Sequence, residues 1–425
     1  MDPIYGDKLQ AHNPAIRILT LLPGPRDAVI KCLLARVAFD KAARYDALSY
    51  AWGDPSDKTS IAVNGFQLFV PSNLSELLRM LRKPDNTTEL WADAICINQK
   101  GVEEKNYQVS IMGEIFRRCD TAYIWLGFPC SSRQVDRNTD NAESPFALIS
   151  HFAYDKHLYE LPCFEVDATT KKVTFHHDAA FTSMWDSFVD IFQKPWWSRF
   201  WCIQESLLPS SAIVMLGPWT TPWSTIKLCE KDSLRHIWGC CGISASLMPP
   251  EYTWFVDAMV ANSQVDPRHV PNHCYDACRN MDQLVRTFRY KDCQNPRDKI
   301  YGISGLLNHS RYPRLLLDYS LPIANVYTNA MEAMLCDGSG DLRCLTGTGF
   351  NSQAYNLPSW VRNFQARPHI AAINSETHRD KVYALYNASS SAKSSPILKD
   401  EIHLVLNGVW IDNVRKVGST VVDRN

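Results

Sequence analysis

The chain has 425 residues, of which 45% are hydrophobic and 21% are charged, so it carries enough apolar surface to fold and is not mainly disordered. Lysine and arginine total 44 against 45 acidic residues. The net charge of -1 excludes a broad positive field, so we expect no nucleic-acid partner.

The N-terminal sequence MDPIYGDKLQ lacks the basic start and the apolar run of a signal peptide. No stretch approaches the roughly 18 uninterrupted apolar residues that a membrane span requires. We therefore expect a soluble, cytoplasmic protein with no membrane span. The 14 cysteines are scattered through the chain, and without an export signal we interpret them as reduced core thiols.

The first part of the chain is predicted to form β-hairpins. Alternating runs begin at Ala15 and Ala28 and are separated by a PGPRD turn, which indicates two antiparallel strands. The run YDALSYAW is a further strand, and SIAVNGFQLFV contains Asn64-Gly65, the strongest short hairpin signal. Asn73 and Glu76 then resemble a capping box before leucines at helical spacing.

The next segment is predicted to alternate strand, helix and strand. LWADAICI, from Leu90, is almost continuously apolar, as a central strand covered on both faces should be. Residues 103–119 carry apolar side chains at helical spacing, and TAYIWLG, which ends at Gly127, is another buried strand. Because parallel strands need a crossover helix, this stretch favours an α/β core with a mostly parallel sheet flanked by helices.

Residues 130–178 are polar and irregular, and we interpret them as a long loop or insertion. The segment from Trp196 to Leu208 follows Pro195 and is predicted to be one helix. Helical patterning recurs at 275–290 and 320–336. SSSAKSS near residue 390 resembles a linker, and HLVLNGVWI near the end is predicted to be a strand hairpin.

These elements suggest an N-terminal β extension at 1–44, a central domain at 45–208 that includes the insertion, and a mixed helical and β region at 209–425. The sequence stops at Asn425 within a segment predicted to be ordered. We therefore expect that the chain is a fragment of a longer protein or a shortened member of its protein family.

Signatures for several common chemistries are absent from the sequence, including a phosphate loop, a GxSxG elbow and an HExxH helix. An imidazole and two thiols lie close together in the sequence at His273, Cys274 and Cys278. They lack a second pair of ligands at zinc-ligand spacing. We therefore predict no metal site.

Two predicted strand ends carry candidate binding residues, because ligands in open α/β sheets bind beyond the carboxyl ends of the strands. At the first, an aromatic ring either stacks on a flat ligand or packs a turn. At the second, amide side chains either bind a ligand or satisfy the loop backbone. The candidates are Ser49, Tyr50, Trp52 and Gly53 at the first strand end and Asp93, Asn98 and Gln99 at the second.

Glu205 is the candidate for acid/base or charge-stabilising chemistry. On a helical wheel it lies about 40° beyond Trp201, at the border of an apolar arc. Partial desolvation beside aromatic rings raises the pKa of a carboxyl group and suits such a role. The alternative is a solvated helix edge or a salt bridge to Arg199.

Several motifs, taken together, resemble the fungal heterokaryon incompatibility (HET) domain. The three ordered blocks are YDALSYAWGDP at 45–55, LWADAICINQ at 90–99 and RFWCIQE at 199–205. Segments that resemble downstream parts of the same proteins are NPRDKIYGISGL at 295–306, LDYS at 317–320 and LPSWV at 357–361. Arg362, Asn363 and Phe364 depart from the Pro-Asp-Trp expected after the last of these.

The resemblance implies a fold and a site. HET domains are regarded as remotely similar to TIR domains, which implies a TIR-like, flavodoxin-like sheet with added N-terminal β-hairpins and a mixed α+β C-terminal region. RFWCIQESL looks like the TIR helix whose glutamate supports cleavage of the nicotinamide–ribose bond of NAD, with Glu205 at that position. The resemblance further implies that Ser49 to Gly53 line a nucleotide pocket, and we add Trp201 beside Glu205.

The resemblance also implies a role in self/non-self recognition, innate immunity and programmed cell death. We expect other incompatibility proteins or self-association as partners, NAD as a candidate substrate and no tightly bound cofactor. The alternative is a non-catalytic protein-interaction module with a vestigial pocket, because many TIR domains only assemble and signal.

Overall fold

A computed structural model describes residues 3–6, 8–10, 14–39, 44–130, 144–250, 252 and 280–307, together with parts of 312–406. Its main feature is a sheet of nine strands in the order β11-β10-β7-β3-β6-β1-β2-β4-β5. The strands are β1 (Ala15–Leu21), β2 (Lys31–Ala38), β3 (Asp46–Tyr50), β4 (Lys58–Val63), β5 (Phe66–Pro71), β6 (Thr88–Trp91), β7 (Ala122–Trp125), β10 (Ala212–Leu216) and β11 (Trp219–Pro222). Two smaller hairpins pair β8 (Phe164–Val166) with β9 (Val173–Phe175) and β12 (Ile397–Lys399) with β13 (His403–Val405).

The centre of the large sheet is parallel and its edges are mixed. β10, β7, β3 and β6 run parallel to one another, as the continuous apolar runs predict for strands buried on both faces. β1 is antiparallel to both β6 and β2, and the β4–β5 hairpin extends that edge. The expected α/β architecture is confirmed, although the sheet as a whole is mixed rather than mostly parallel.

Both predicted N-terminal hairpins are confirmed, as is the β3 strand. In the turn between β4 and β5, Asn64 and Gly65 have φ of 53° and 81°, the left-handed conformation that this dipeptide favours. The side chain of Asn64 also accepts a hydrogen bond from Leu34 N at 2.9 Å. The turn residue therefore ties the second hairpin to the first.

Helices cover the sheet and fill the C-terminal part of the described chain. They are α1 (Ser72–Leu81), α2 (Asp93–Cys96), α3 (Val102–Ser110), α4 (Met112–Arg118), α5 (Ala147–Ala153), α6 (Ala179–Gln193), α7 (Cys202–Leu207), α8 (Trp223–Arg235), α9 (Gly242–Ser246), α10 (Met281–Thr287), α11 (Asp298–Tyr301) and α12 (Ile323–Leu335). The predicted helices at 275–290 and 320–336 correspond to α10 and α12, and residues 275–279 lie outside the described range.

Three local predictions are wrong in detail. The capping box is absent: α1 begins at Ser72, and the Asn73 side chain instead donates to Ala51 O and accepts from Trp125 Nε1. The strand from Leu90 stops at Trp91, because the following residues turn into α2. The helix at 103–119 is two helices separated at Ile111.

The insertion at 130–178 is more ordered than predicted. Residues 131–143 lie outside the described part, but α5, a 3-10 turn at Leu158–Glu160 and the β8–β9 hairpin follow. Leu148, Ile149, Phe152 and Leu158 are all buried. The segment therefore contributes to an apolar core. The sequence did not indicate this, because polar residues surround the buried apolar ones.

Part of the C-terminal prediction cannot be compared with the structure. The SSSAKSS segment lies outside the described residues, as do His273, Cys274 and Cys278. In the predicted HLVLNGVWI hairpin, His403–Val405 is a strand, but it pairs with the preceding Ile397–Lys399, and residues 407–411 are not described.

Three apolar clusters form the core, and they meet at α7. One surrounds the N-terminal half of the sheet, one joins α5, α6 and α8, and one holds α10 to α12. Cys202 belongs to the second cluster and Ile203 to the third, while Trp201 and Leu208 pack against the first. Every residue of α7 is consequently buried. Among the described residues, no helix combines the length and apolar character that crossing a bilayer requires.

Candidate functional site

A cavity of about 610 Å³ lies at the carboxyl ends of β3 and β6. The segment around α7 and residues from the region after 209 complete its wall. Six of the predicted site residues line it, namely Trp52, Gly53, Asp93, Gln99, Trp201 and Glu205. The structure therefore brings residues of all three sequence blocks to one hollow.

Glu205 is held in place from two sides. The Ser49 hydroxyl, at the end of β3, donates a hydrogen bond of 2.5 Å to Glu205 Oε2. Ser49 Oγ in turn accepts a hydrogen bond of 2.7 Å from Trp196 Nε1. Arg199 Nη1 lies 3.9 Å from the same carboxylate oxygen and also donates to Tyr50 O. The carboxylate is thus fixed in position at the wall of the cavity.

The surroundings of Glu205 change its acidity. Burial raises its pKa to about 7, while the Arg199 charge and the Ser49 hydrogen bond oppose that rise, and the nearby Asp93 adds to it. Only 4% of the residue is exposed. A carboxyl group with this pKa is populated in both protonation states near neutral pH, which suits acid/base or charge-stabilising chemistry.

Asp93 organises the opposite side of the cavity. Its carboxylate accepts hydrogen bonds from Tyr50 Oη at 2.7 Å and from Trp52 Nε1 at 3.0 Å, and its backbone oxygen accepts one from Gln99 Nε2 at 2.8 Å. Burial, together with the Asp93 charge, raises the pKa of Tyr50. These bonds connect the block after β3 to the block after β6 and orient the Trp52 ring.

The predicted continuous helix from Trp196 to Leu208 is wrong. A 3-10 turn covers Pro195–Ser198, Arg199 is extended, and α7 starts only at Cys202. The predicted helix is interrupted here because this segment pairs with another part of the backbone. Phe200 N donates to Asp292 O at 2.8 Å, and Asp292 N donates to Ser198 O. Glu205 consequently lies among buried residues rather than at the border of an apolar arc.

Three predicted site residues do not line the cavity. Ser49 and Tyr50 are buried behind it and act through Glu205 and Asp93. Asn98 lies in the loop before α3, where its side chain accepts from Lys100 N at 3.1 Å and its backbone N–H donates to Glu104 Oε1 at 2.8 Å. The Asn98 amide therefore serves the loop backbone, one of the two interpretations of this residue.

The C-terminal region supplies site residues that the site prediction missed. Asp292 to Asn295, Asp298 and Tyr319 also line the cavity. Tyr319 Oη donates a hydrogen bond of 2.5 Å to Asp298 Oδ1, and burial raises the pKa of Asp298. Asn295, Asp298 and Tyr319 belong to the NPRDKIYG and LDYS segments, whereas Asp292 to Gln294 precede them, and no local pattern indicated which of these residues line a cavity.

Comparison with known proteins identifies a family for the central segment. Residues 45–205 match the family described as Heterokaryon incompatibility protein (HET). The chain is 27% identical to heterokaryon incompatibility protein 6, OR allele, of Neurospora crassa, over 77% of this chain and 53% of that protein. The chain thus spans about half the length of this curated relative. No solved structure matches this chain.

Proposed function

Because this chain is a HET-domain protein, we propose that it acts in heterokaryon incompatibility as a self/non-self recognition component that triggers programmed cell death. We further propose that it hydrolyses NAD in the cavity beside Glu205. In this proposal the protein works in the cytoplasm, through self-association or contact with another incompatibility protein. The observation that carries the enzymatic part is the buried Glu205 carboxylate at the wall of a cavity shared by all three HET blocks.

The size and lining of the cavity support a nucleotide ligand. Its volume of about 610 Å³ falls within the roughly 300–1,000 Å³ typical of small-molecule sites. Trp52, Phe200 and Trp201 offer aromatic surface for a nicotinamide or adenine ring. Lys105 and Arg199 offer positive charge for a pyrophosphate.

The strand order supports the TIR-like interpretation. Taken in chain order as strands one to four, β3, β6, β7 and β10 are arranged 2-1-3-4, as in flavodoxin-like sheets. In that arrangement ligands bind beyond the carboxyl ends of the strands, where the order reverses beside the first strand. Trp52 and Gly53 follow β3 at that place.

The proposed reaction breaks the bond between ribose C1′ and the nicotinamide nitrogen. Nicotinamide leaves with the bonding electron pair, which neutralises its ring, and positive charge develops on the ribose. Ionised Glu205 stabilises this oxocarbenium-like charge or holds a ribose hydroxyl. Water then adds its oxygen to C1′ and releases one proton, so NAD and water yield ADP-ribose, nicotinamide and a proton.

Nicotinamide release from NAD tests the enzymatic proposal directly. The full chain is incubated with NAD, alone and under crowding conditions that favour self-association, and the products are separated by chromatography. Glu205→Gln keeps the shape of the side chain and should lower the rate by about 10² to 10⁴. Glu165→Gln is the matched control, because that carboxylate is 77% exposed on β8.

The same variant separates the enzyme from an interaction module. If the chain releases no nicotinamide, and if Glu205→Gln still kills fungal cells on overexpression while remaining folded, the adaptor function replaces the enzymatic one. An unchanged hydrolysis rate in Glu205→Gln would instead remove Glu205 from the mechanism.

A further inference from the structure

A second group of polar side chains lies away from the cavity, where α8 ends. His236, Cys240 and Cys241 belong to the turn after α8, and His157 precedes the 3-10 turn at Leu158–Glu160. One nitrogen or sulfur atom from each of the four residues lies within 4.8 Å of the other three. None of the four lines the cavity beside Glu205.

Five of the six separations between these atoms are close to the edges of a small tetrahedron, and the sixth, between the two imidazoles, is within 4.8 Å. Cys240 Sγ lies 3.1 Å from His236 Nδ1 and 3.4 Å from His157 Nδ1. Cys241 Sγ lies 3.4 Å from His157 Nδ1 and 3.7 Å from His236 Nδ1, and the two sulfur atoms are 3.8 Å apart. Tetrahedral zinc with Zn–S of about 2.3 Å and Zn–N of about 2.05 Å requires sulfur–sulfur edges of about 3.8 Å and sulfur–nitrogen edges of about 3.6 Å.

We propose that His157, His236, Cys240 and Cys241 bind one zinc ion in a tetrahedral site. Two thiolates and two imidazoles are a ligand set that zinc favours, and four protein ligands leave no open position. The site is therefore structural. It joins residue 157, in the segment predicted to be an insertion, to the end of α8.

A bend in the backbone at Gly239, whose φ of -114° and ψ of -107° are not helical, explains how neighbouring cysteines both reach the site. Cys241 N donates to His236 O at 2.8 Å, a hydrogen bond that spans five residues instead of four. In a regular α-helix, adjacent side chains diverge by about 100°, so Cys240 and Cys241 would face different directions. The bend at Gly239 lets both approach His236. Because these ligands do not follow the CxxC spacing, the sequence-based search for metal sites overlooked them.

The surrounding hydrogen bonds prepare the ligand atoms for a cation. His236 Nε2 lies 2.8 Å from Asp155 Oδ1. A carboxylate only accepts, so this bond places the imidazole proton on Nε2 and leaves the Nδ1 lone pair directed at the cysteines. Such a carboxylate–histidine pair is the usual support of a zinc ligand. Leu158 N also donates to Cys241 Sγ at 3.3 Å, which holds this sulfur in place.

Metal content of the full chain, purified under reducing conditions, tests the site. We expect about one zinc per chain by elemental mass spectrometry, and the visible absorption of tetrahedral, thiolate-bound cobalt after exchange with Co²⁺. Cys240→Ser should lower zinc retention at least tenfold, and because Cys240 is exposed the substitution should not prevent folding. Cys130→Ser, at another exposed cysteine, is the matched control and should retain zinc.

A second variant tests the geometry without removing a ligand. Asp155→Asn should weaken zinc affinity about 10-fold to 100-fold while one ion still binds at saturation. A folded wild-type chain that neither contains zinc nor takes up Zn²⁺ or Co²⁺ on titration overturns the proposal. Equal zinc in wild type and in the Cys240→Ser/Cys241→Ser double variant also overturns it. Cys274→Ser/Cys278→Ser then tests the other thiols as the source of that zinc.

Discussion

Ser49 donates a hydrogen bond of 2.5 Å to Glu205, and this contact joins two residues that are 156 positions apart in the sequence and belong to different sequence blocks. Ser49 lies at the end of β3, a central strand of the sheet, and Glu205 lies on α7, where the three apolar clusters meet. Both side chains are buried. The acidity of Glu205 is therefore set by this contact, by Arg199 and by burial.

The stability of the chain should depend on pH through Glu205. Its pKa of about 7 in the folded chain exceeds the ordinary value of 4.5, so the folded state holds a proton that the unfolded state has lost between these values. Stability from this group is consequently lost as pH rises from about 4.5 to about 7. Glutamine cannot ionise. Glu205→Gln should gain about 2 to 3 kcal/mol relative to wild type between about pH 5 and about pH 8.

Urea unfolding of both proteins at the two pH values measures this difference. A stability offset between Glu205→Gln and wild type that stays constant over this range would contradict the raised pKa. Glu165→Gln, at the exposed carboxylate, is the control and should change stability by less than about 0.5 kcal/mol.

Arg199 should control the pKa of Glu205 more strongly than Ser49 does. Both groups favour the ionised carboxylate, and the charge of Arg199 is the larger influence. Arg199→Met should therefore raise the pKa of Glu205 further than Ser49→Ala does, whereas Arg199→Lys keeps the charge. Carbon-13 NMR of the glutamate carboxyls, with Glu205 assigned from Glu205→Gln, measures the order. The reverse order of the two shifts would show that the hydrogen bond dominates.

Several strands, and the meeting of two predicted strand ends at one cavity, followed from local patterns. Apolar runs such as TAYIWLG predicted buried strands correctly, and the ends of β3 and β6 meet at one cavity as parallel strands require. The break at Arg199 was not predictable, because its cause is the backbone of Asp292, more than 90 residues later. The same limit applies to Asp298 and Tyr319, which reach the cavity only through tertiary packing.

A close backbone approach holds the C-terminal region against α4. A Cβ added at Gly113 would lie 2.7 Å from Gly305 Cα and 2.9 Å from Gln204 Oε1. Alanine normally favours a helix over glycine by up to about 1 kcal/mol, but here the clash should prevail. Gly113→Ala should destabilise the chain by about 1–3 kcal/mol in urea unfolding. Gly242→Ala, where the nearest atom would be 3.8 Å away, is the control, and an equal effect at both positions would contradict the clash.

A buried ion pair should fix the loop that carries Gln99. Glu104 and Arg17 are both almost fully buried and are joined by contacts of 2.5 Å and 3.1 Å. Glu104 also accepts from Asn98 N at 2.8 Å. Burial favours a raised pKa for Glu104, but hydrogen bonds from Arg17 and the backbone outweigh it and lower that pKa. The carboxylate is therefore ionised at neutral pH.

Glu104→Gln should cost about 3–5 kcal/mol, because it leaves the Arg17 charge buried without its counter-ion. Glu103→Gln is the matched control: the neighbouring carboxylate is exposed, so its loss should change stability by less than about 0.5 kcal/mol. Urea unfolding at neutral pH compares the two variants. Equal stability of the two variants would show that the attraction between Arg17 and Glu104 only compensates for the free energy lost when both charges are buried. A large loss in Glu104→Gln alone would show that this ion pair stabilises the folded chain.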